Sequence, residues 1–218
     1  MTSPISFNPV LEHKILIVED EPLVAEHISM YLNNADFVVC GIAHDDEEAR
    51  HYLRTQTPDA VILDINLDSE VDGIQIAEYI NHYHKIPFLF LTSYADRDTL
   101  ERAKKVEPSG YIVKPFNEKT LQASIEIAIS NYANKQNQHV PVLDLERINK
   151  HLTTPITIRE FDVLNLIYQG KTNQQIASEL FVSINTIKRH INNAYLSLGA
   201  TSRSTCIARL RELMIKSV

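Results

Sequence analysis

The chain has 218 residues, 44% hydrophobic and 22% charged, which excludes a disordered polymer and leaves room for one large domain or two modest ones. The net charge of −7 argues, as an average, against nucleic acid, yet residues 1–148 hold 12 Lys and Arg against 24 Asp and Glu, whereas residues 149–218 hold 9 against 4. An acidic first part and a basic second part point to two domains with different partners, the second a candidate for phosphate-backbone binding.

Cys40 and Cys206 form no CxxC pair and no disulfide framework, which suits a reducing cytoplasm. Met1 to His13 lacks the basic-then-apolar pattern of a secretory signal. No apolar run reaches membrane-spanning length, so no membrane partner is expected.

In chain order, Lys14–Val18 is an apolar run that reads as a strand and ends in Glu19, Asp20 and Glu21. Pro22 then opens a helix, where a missing N–H costs little. Leu23, Ile28, Tyr31 and Leu32 are its expected buried side. Phe37–Ile42 is a second strand. Asp45–Thr55 is a helix, acidic at its start as the macrodipole prefers. Asp59–Asp64 carries four apolar residues without alternation, the mark of a strand buried on both faces. A polar loop, Asn66–Asp72, leads to a helix from Gly73 to about His84. Phe88–Leu91 is a strand closed by Thr92. Asp96 to about Val106 is a charged helix. Gly110–Val113 is a fifth strand, ending at Lys114-Pro115, and an amphipathic helix runs from Asn117 to about Tyr132.

Strands alternating with helices mean βαβ units, an α/β fold with a parallel sheet. A flavodoxin-like order, 2-1-3-4-5, gathers Glu19, Asp20, Asp64, Thr92 and Lys114 at the carboxyl edge, where such sheets bind ligands. Carboxylates crowded together repel and need a compensating cation. Oxygen ligands with room for water favour Mg²⁺. With Lys114 as a second positive group, the edge suits phosphoryl transfer to Asp64, with the Thr92 hydroxyl bonding a phosphoryl oxygen. A dehalogenase-type phosphatase needs a second Asp two residues after the first, where this chain has Asn66. No GxxxxGK[ST] stretch exists, and no second general base stands out, so an enzyme with small-molecule turnover is not expected.

Glu19-Asp20, Asp64, Thr92 and Lys114-Pro115, in that order and spacing, resemble the receiver domain of two-component response regulators, a CheY-like fold, over about residues 13–132. The resemblance implies Asp64 as phosphoacceptor, Glu19, Asp20, Asp64 and the Asn66 carbonyl as the Mg²⁺ site, and Thr92 and Tyr111 as a switch pair. It further implies Lys114 as the phosphoryl contact, a cis Lys114–Pro115 bond, and a sensor histidine kinase as donor.

Residues 133–152 read as a linker, in which Val142, Leu143, Leu145 and Ile148 could form a short amphipathic helix. His82 and His84, two apart on a helix, point different ways and read as surface residues. Residues 153–218 read as a small all-α domain. Thr157 caps a helix that Gly170 stops. Thr172–Leu180 is a second helix. Phe181-Val182 turns into Ser183, a third helix runs to Leu198, and Thr205 to about Ile215 is a fourth. Two helices joined by a tight turn give the helix-turn-helix pattern.

At about 100° per residue, Ile184, Ile187, Ile191, Ala194, Tyr195 and Leu198 share one side of the third helix. Asn185, Arg189, Asn192 and Asn193 fall opposite, with Lys188 and His190 flanking. A face of amides and cations without acids suits double-stranded DNA, Arg reading guanine and Asn adenine, Lys188 and His190 meeting phosphates. Thr157-Ile158-Arg159-Glu160, Gly170-Lys171-Thr172-Asn173-Gln174-Gln175-Ile176-Ala177 and Thr186-Ile187-Lys188-Arg189-His190 resemble the LuxR-type helix-turn-helix of NarL/FixJ-class regulators. That resemblance implies groove reading by Lys188, Arg189 and Asn192, with Thr172, Asn173, Thr186 and His190 near the DNA backbone. It also implies a last helix able to dimerise. The whole then reads as a phosphorylation-controlled transcription factor, a homodimer when phosphorylated. The alternative is a receiver acting through protein contacts, as a phosphate sink or anti-terminator.

Overall fold

The computed structural model describes residues 13–33, 37–93, 97–137 and 142–215. The expected start of the fourth helix at Asp96 and the linker residues 138–141 lie outside the described residues, as does the chain before His13. The elements are β1 (His13–Val18), α1 (Pro22–Leu32), β2 (Phe37–Ala43), α2 (Asp46–Thr55), β3 (Ala60–Asp64), α3 (Gly73–Tyr79), β4 (Phe88–Thr92), α4 (Arg97–Lys105), β5 (Gly110–Val113) and α5 (Glu118–Asn137), followed by α6 (Leu145–Asn149), α7 (Ile158–Tyr168), α8 (Asn173–Glu179), α9 (Ile184–Leu198) and α10 (Arg203–Ile215).

The five strands form one parallel sheet in the order β2-β1-β3-β4-β5. Every residue of β3 and β4 is buried, as their unbroken apolar runs require. Alternate side chains feed two cores. Leu16, Val61, Leu63 and Phe90 pack under α2 and α3. Ile15, Ile62, Leu89 and Leu91 pack under α1 and α5, against Ile28, Leu121 and Ile125. Each such side chain contributes about 1.5–3 kcal/mol, so the strand order is held from both faces.

Leu23 does not join the buried side of α1: it is 72% exposed, while Ala25, Ile28 and Leu32 are buried. Five residues of helix separate Leu23 from Ile28, which turns it about 140° away. The expected helix Gly73–His84 is α-helical only to Tyr79 and closes with a π-helical turn, Ile80–His84, ended by Lys85 at φ 52°. That turn leaves His82 exposed and His84 half-buried against Tyr79.

The C-terminal helices enclose a third core of Val163, Leu164, Ile176, Ile187, Ile191, Leu198 and Leu210. Leu143 and Ile148 belong to that core, and Asn149 exchanges two hydrogen bonds with Ile156. The short amphipathic helix α6 therefore packs with the second unit, while α5 extends to Asn137. Thr157 with Glu160, and Thr172 with Gln175, form reciprocal capping boxes at the starts of α7 and α8. Ser183 caps α9. The last helix starts at Arg203, two residues before the expected Thr205, because Ser202 supplies the cap by accepting from the Thr205 N–H.

The two units touch at the amino edge of the sheet, remote from the carboxyl edge. Asp59, at the foot of β3, accepts from the Lys14 N–H of β1 (3.0 Å) and from the Ser204 N–H in the first turn of α10 (2.8 Å). A carboxylate there complements the helix dipole. Gln175 donates to Glu126 of α5 (3.1 Å). Gly170, at φ +80°, lies so close to α5 that a Cβ would stand 2.8 Å from Ala133 and 2.9 Å from the Ser130 Cα. Gly199, also left-handed, faces open space. Gly170→Ala should therefore cost more than Gly199→Ala, which carries only the left-handed strain of about 1–2 kcal/mol. Urea unfolding of the two variants measures the difference; equal losses would mean that the α5 contact does not persist in solution.

Candidate phosphoacceptor site and DNA-reading helix

At the carboxyl edge, β1 ends in Val18 and delivers Glu19 and Asp20, β3 ends in Asp64, β4 in Thr92, and β5 hands over to Lys114. Pairing of β3 with β4 sets Asp64 beside Leu91, one residue short of Thr92, and the Lys114 N–H donates to the Thr92 carbonyl (2.8 Å). Lys114 Nζ then reaches across the edge to Asp64 Oδ2 (2.5 Å) and Glu19 Oε1 (3.0 Å). One oxygen from each of Glu19, Asp20 and Asp64 lies within 4.8 Å of the others. Glu19 is wholly buried and Asp64 nearly so. The Lys114–Pro115 peptide is cis, as the resemblance implies.

Burial pushes the Glu19 carboxyl up to about 7, with the Asp64 charge adding to the rise and Lys114 opposing it. Burial lowers the Lys114 ammonium's proton affinity, but the hydrogen bonds and charges of Asp64 and Glu19 outweigh it and hold its pKa above the usual value. The cluster thus carries more carboxylate than one ammonium neutralises. Among the described residues Thr92 Oγ1 is buried without a hydrogen-bond partner. Both Glu19 oxygens lie within reach of Lys114 Nζ, Oε2 at 2.8 Å, so a hard cation would share the carboxylate with the ammonium, whereas the unbonded Thr92 hydroxyl fits an incoming oxyanion. Glu19, Asp20 and Asp64 are the side chains that could hold Mg²⁺.

The loop after β3 folds onto the site. Asn66 donates its N–H to Asp64 Oδ1 (2.9 Å), and Asp68 donates its N–H to Asp20 Oδ2 (3.2 Å). Asn66 itself is exposed. Gly73 begins α3 directly against β3: a Cβ there would lie 1.8 Å from the Asp64 carbonyl oxygen. Sequence reasoning names Gly73 only as a helix start and misses the Asp68 N–H, although a glycine between an acidic loop and a helix is a legible sign of close backbone approach. Tyr111, on edge strand β5, is 38% exposed, with its ring 6.0 Å from Phe90.

On α9, Asn185, Arg189 and Asn193 are exposed, while Thr186, Lys188, His190 and Asn192 are half-buried. Ile187, Ile191, Ala194, Tyr195 and Leu198 are buried, as the helical angle predicts. Thr186 is tied to the Ser183 cap. Asn193 bonds Glu160 of α7, whose carboxyl also faces His190, so part of this face is braced against α7. Thr172 and Asn173 depart from expectation. They are 0% and 1% exposed, Thr172 turning inward to cap α8. In this arrangement neither presents a side chain to a DNA backbone.

The response regulator receiver domain family matches residues 15–126, and the bacterial regulatory proteins of the luxR family match residues 154–210. The chain belongs to the response regulators. Its receiver resembles the signal receiver domain of a modulated diguanylate cyclase from Desulfovibrio desulfuricans G20, with 35% identity and a TM-score of 0.54 over 57% of this chain and 98% of that one. As a whole the regulator is 26% identical to the transcriptional regulatory protein YdfI of Bacillus subtilis, over 89% of this chain and 93% of the relative. It is 29% identical to the response regulator protein VraR of Staphylococcus aureus, over 89% and 94%. Among the described residues, no helix is long and apolar enough to cross a membrane.

The raised Glu19 pKa has two consequences in the metal-free regulator. Between its ordinary 4.5 and about 7, the folded carboxyl keeps a proton that the unfolded chain has released, so this group's contribution to stability falls as pH rises through that window. A divalent cation must displace the same proton. Mg²⁺ affinity, titrated at pH 6 and pH 8, should weaken by about tenfold per unit below neutrality. Glu19→Gln should bind more weakly and with a flatter profile; an unchanged slope in that variant would place the titrating group elsewhere.

Proposed function

We propose that this response regulator is a DNA-binding transcriptional regulator controlled by phosphorylation of Asp64. The reading rests chiefly on Lys114 Nζ, held between Asp64 and Glu19 beside the unbonded hydroxyl of Thr92. A sensor histidine kinase supplies the phosphoryl group. An Asp64 oxygen attacks phosphorus in line as the bond to the donor imidazole breaks, and the free histidine departs. Lys114 neutralises charge on the phosphoryl oxygens. The Thr92 hydroxyl donates to one of them, and Tyr111 follows inward as the switch partner. Mg²⁺, when bound by Glu19, Asp20, Asp64 and the Asn66 carbonyl, supplies the remaining positive charge.

Residues 13–132, with the continuation of α5, form the receiving unit, and residues 153–218, joined by α6, form the output unit, which acts as a homodimer on double-stranded DNA in the cytoplasm. Lys188, Arg189 and Asn192 enter the major groove, with Asn185 beside them and Thr186 and His190 at the backbone. Thr172 and Asn173 reach that backbone only after the start of α8 is uncovered. Turnover of a small molecule forms no part of this role, since the phosphoryl group ends on the protein itself.

Two measurements test the proposal. Affinity for selected duplexes should rise on treatment with an acyl phosphate, and Asp64→Asn should remove that response while still binding DNA weakly. Phosphate contacts from the basic output units of two protomers predict affinity that falls steeply with salt, while Arg189→Ala should relax sequence preference more than it changes the salt slope. Binding that ignores salt, or no binding to any duplex, favours a receiver that works through protein contacts instead.

A further inference from the structure

A cavity of about 280 Å³ lies between the two units, at the amino edge of the sheet. It is bounded by the feet of β1, β3 and β4, the end of α5, the α7–α8 turn and the first turns of α10. The phosphoacceptor cluster is at the opposite edge and contributes nothing to it.

His13 lines this cavity. It is 2% exposed, and among the described residues neither ring nitrogen has a hydrogen-bond partner. Buried polar groups are normally paired, and an unpaired one calls for a missing partner. The neighbouring polar groups do not supply it. Asp59 directs one oxygen to the Lys14 N–H and the other to the Ser204 N–H. Arg203 donates to the Ile167 and Lys171 carbonyls. Burial and the nearby Arg203 charge lower the His13 pKa, so the ring is neutral and offers one N–H donor and one acceptor.

Arg203, Arg211 and Lys85 border the cavity beside Asp59; Arg203 is engaged by two carbonyls, and the Arg211 guanidinium lies 5.8 Å from the centre of the Tyr168 ring. The remaining wall is largely apolar, including Ile86, Ile129 and Ile207. A positive lining around a buried neutral imidazole, closed by aliphatic surface, matches an anionic head on a compact hydrophobic body.

We propose that this cavity is a binding site for a small organic carboxylate with a compact apolar body, which accepts a hydrogen bond from His13 and faces Arg211. A ligand seated there touches both units. Its binding therefore stabilises their docked arrangement by linkage, and the site is a route by which a metabolite class, separate from the phosphoryl group, acts on the regulator.

Calorimetric titration of the full chain with cyclohexanecarboxylate and benzoate tests this, with cyclohexanecarboxamide as the neutral control. We expect saturable 1:1 binding of at least one carboxylate, with the amide weaker by about tenfold or more. Arg211→Leu should weaken carboxylate binding toward the level of the amide. Ile207→Trp and, independently, Ala208→Trp should fill the cavity and abolish binding, the far-UV spectrum of each reporting whether it has folded. No saturable binding of either carboxylate up to its solubility limit overturns the proposal. Equal affinity for the amide overturns the anionic recognition, and binding that survives in a folded cavity-filling variant overturns the location.

Discussion

One ammonium group stands between two buried carboxylates, and the receiving unit's chemistry depends on it. Lys114 Nζ bonds both Asp64 and Glu19, which come from the ends of different strands. Removing Lys114 leaves both buried carboxylates without a positive partner, which costs several kcal/mol where the pairing itself contributes little net stability. The arrangement is therefore better understood as a site than as a brace. Its excess negative charge suits a cation, and its single fixed ammonium marks where a phosphoryl oxygen would sit.

Geometry of that kind demands a rigid frame. The central strands β1, β3 and β4 are buried on both faces and carry Glu19, Asp64 and Thr92 at their ends. Backbone contacts complete the frame: Gly73 lets α3 start against the Asp64 carbonyl, and the N–H groups of Asn66 and Asp68 orient Asp64 and Asp20. At the other end of the same strands, Asp59 caps α10 of the output unit. The sheet is thus loaded at both edges, by charge chemistry at one and by domain docking at the other. A change at the carboxyl edge has only the length of a strand to cross before it meets the DNA-reading unit.

The strand order and the five edge residues were legible because buried parallel strands leave unbroken apolar runs, and because their ends must then align. The helical angle likewise separated the buried and outward sides of α9, down to individual residues such as Ile191 and Arg189. What escaped was long-range packing. Leu23 reads as apolar and helical, yet angle alone turns it outward from Ile28. Thr172 and Asn173 sit at a helix start, a common place for DNA contact, but both are buried, Thr172 as the cap of α8. Asp59 reads as the first residue of a strand; its tie to Ser204, 145 positions away, has no local signature. His13 as a buried group facing Arg203 is equally invisible until the two units are set side by side.

The most direct test of the central claim is to locate the phosphoryl group. The regulator, treated with an acyl phosphate and Mg²⁺, is reduced with borohydride, which converts an aspartyl phosphate to homoserine, and is then mapped by mass spectrometry. The expected result is a single modified position, Asp64, lost on addition of excess EDTA before the phosphodonor. Modification at another aspartate, or undiminished modification without divalent cation, contradicts the account.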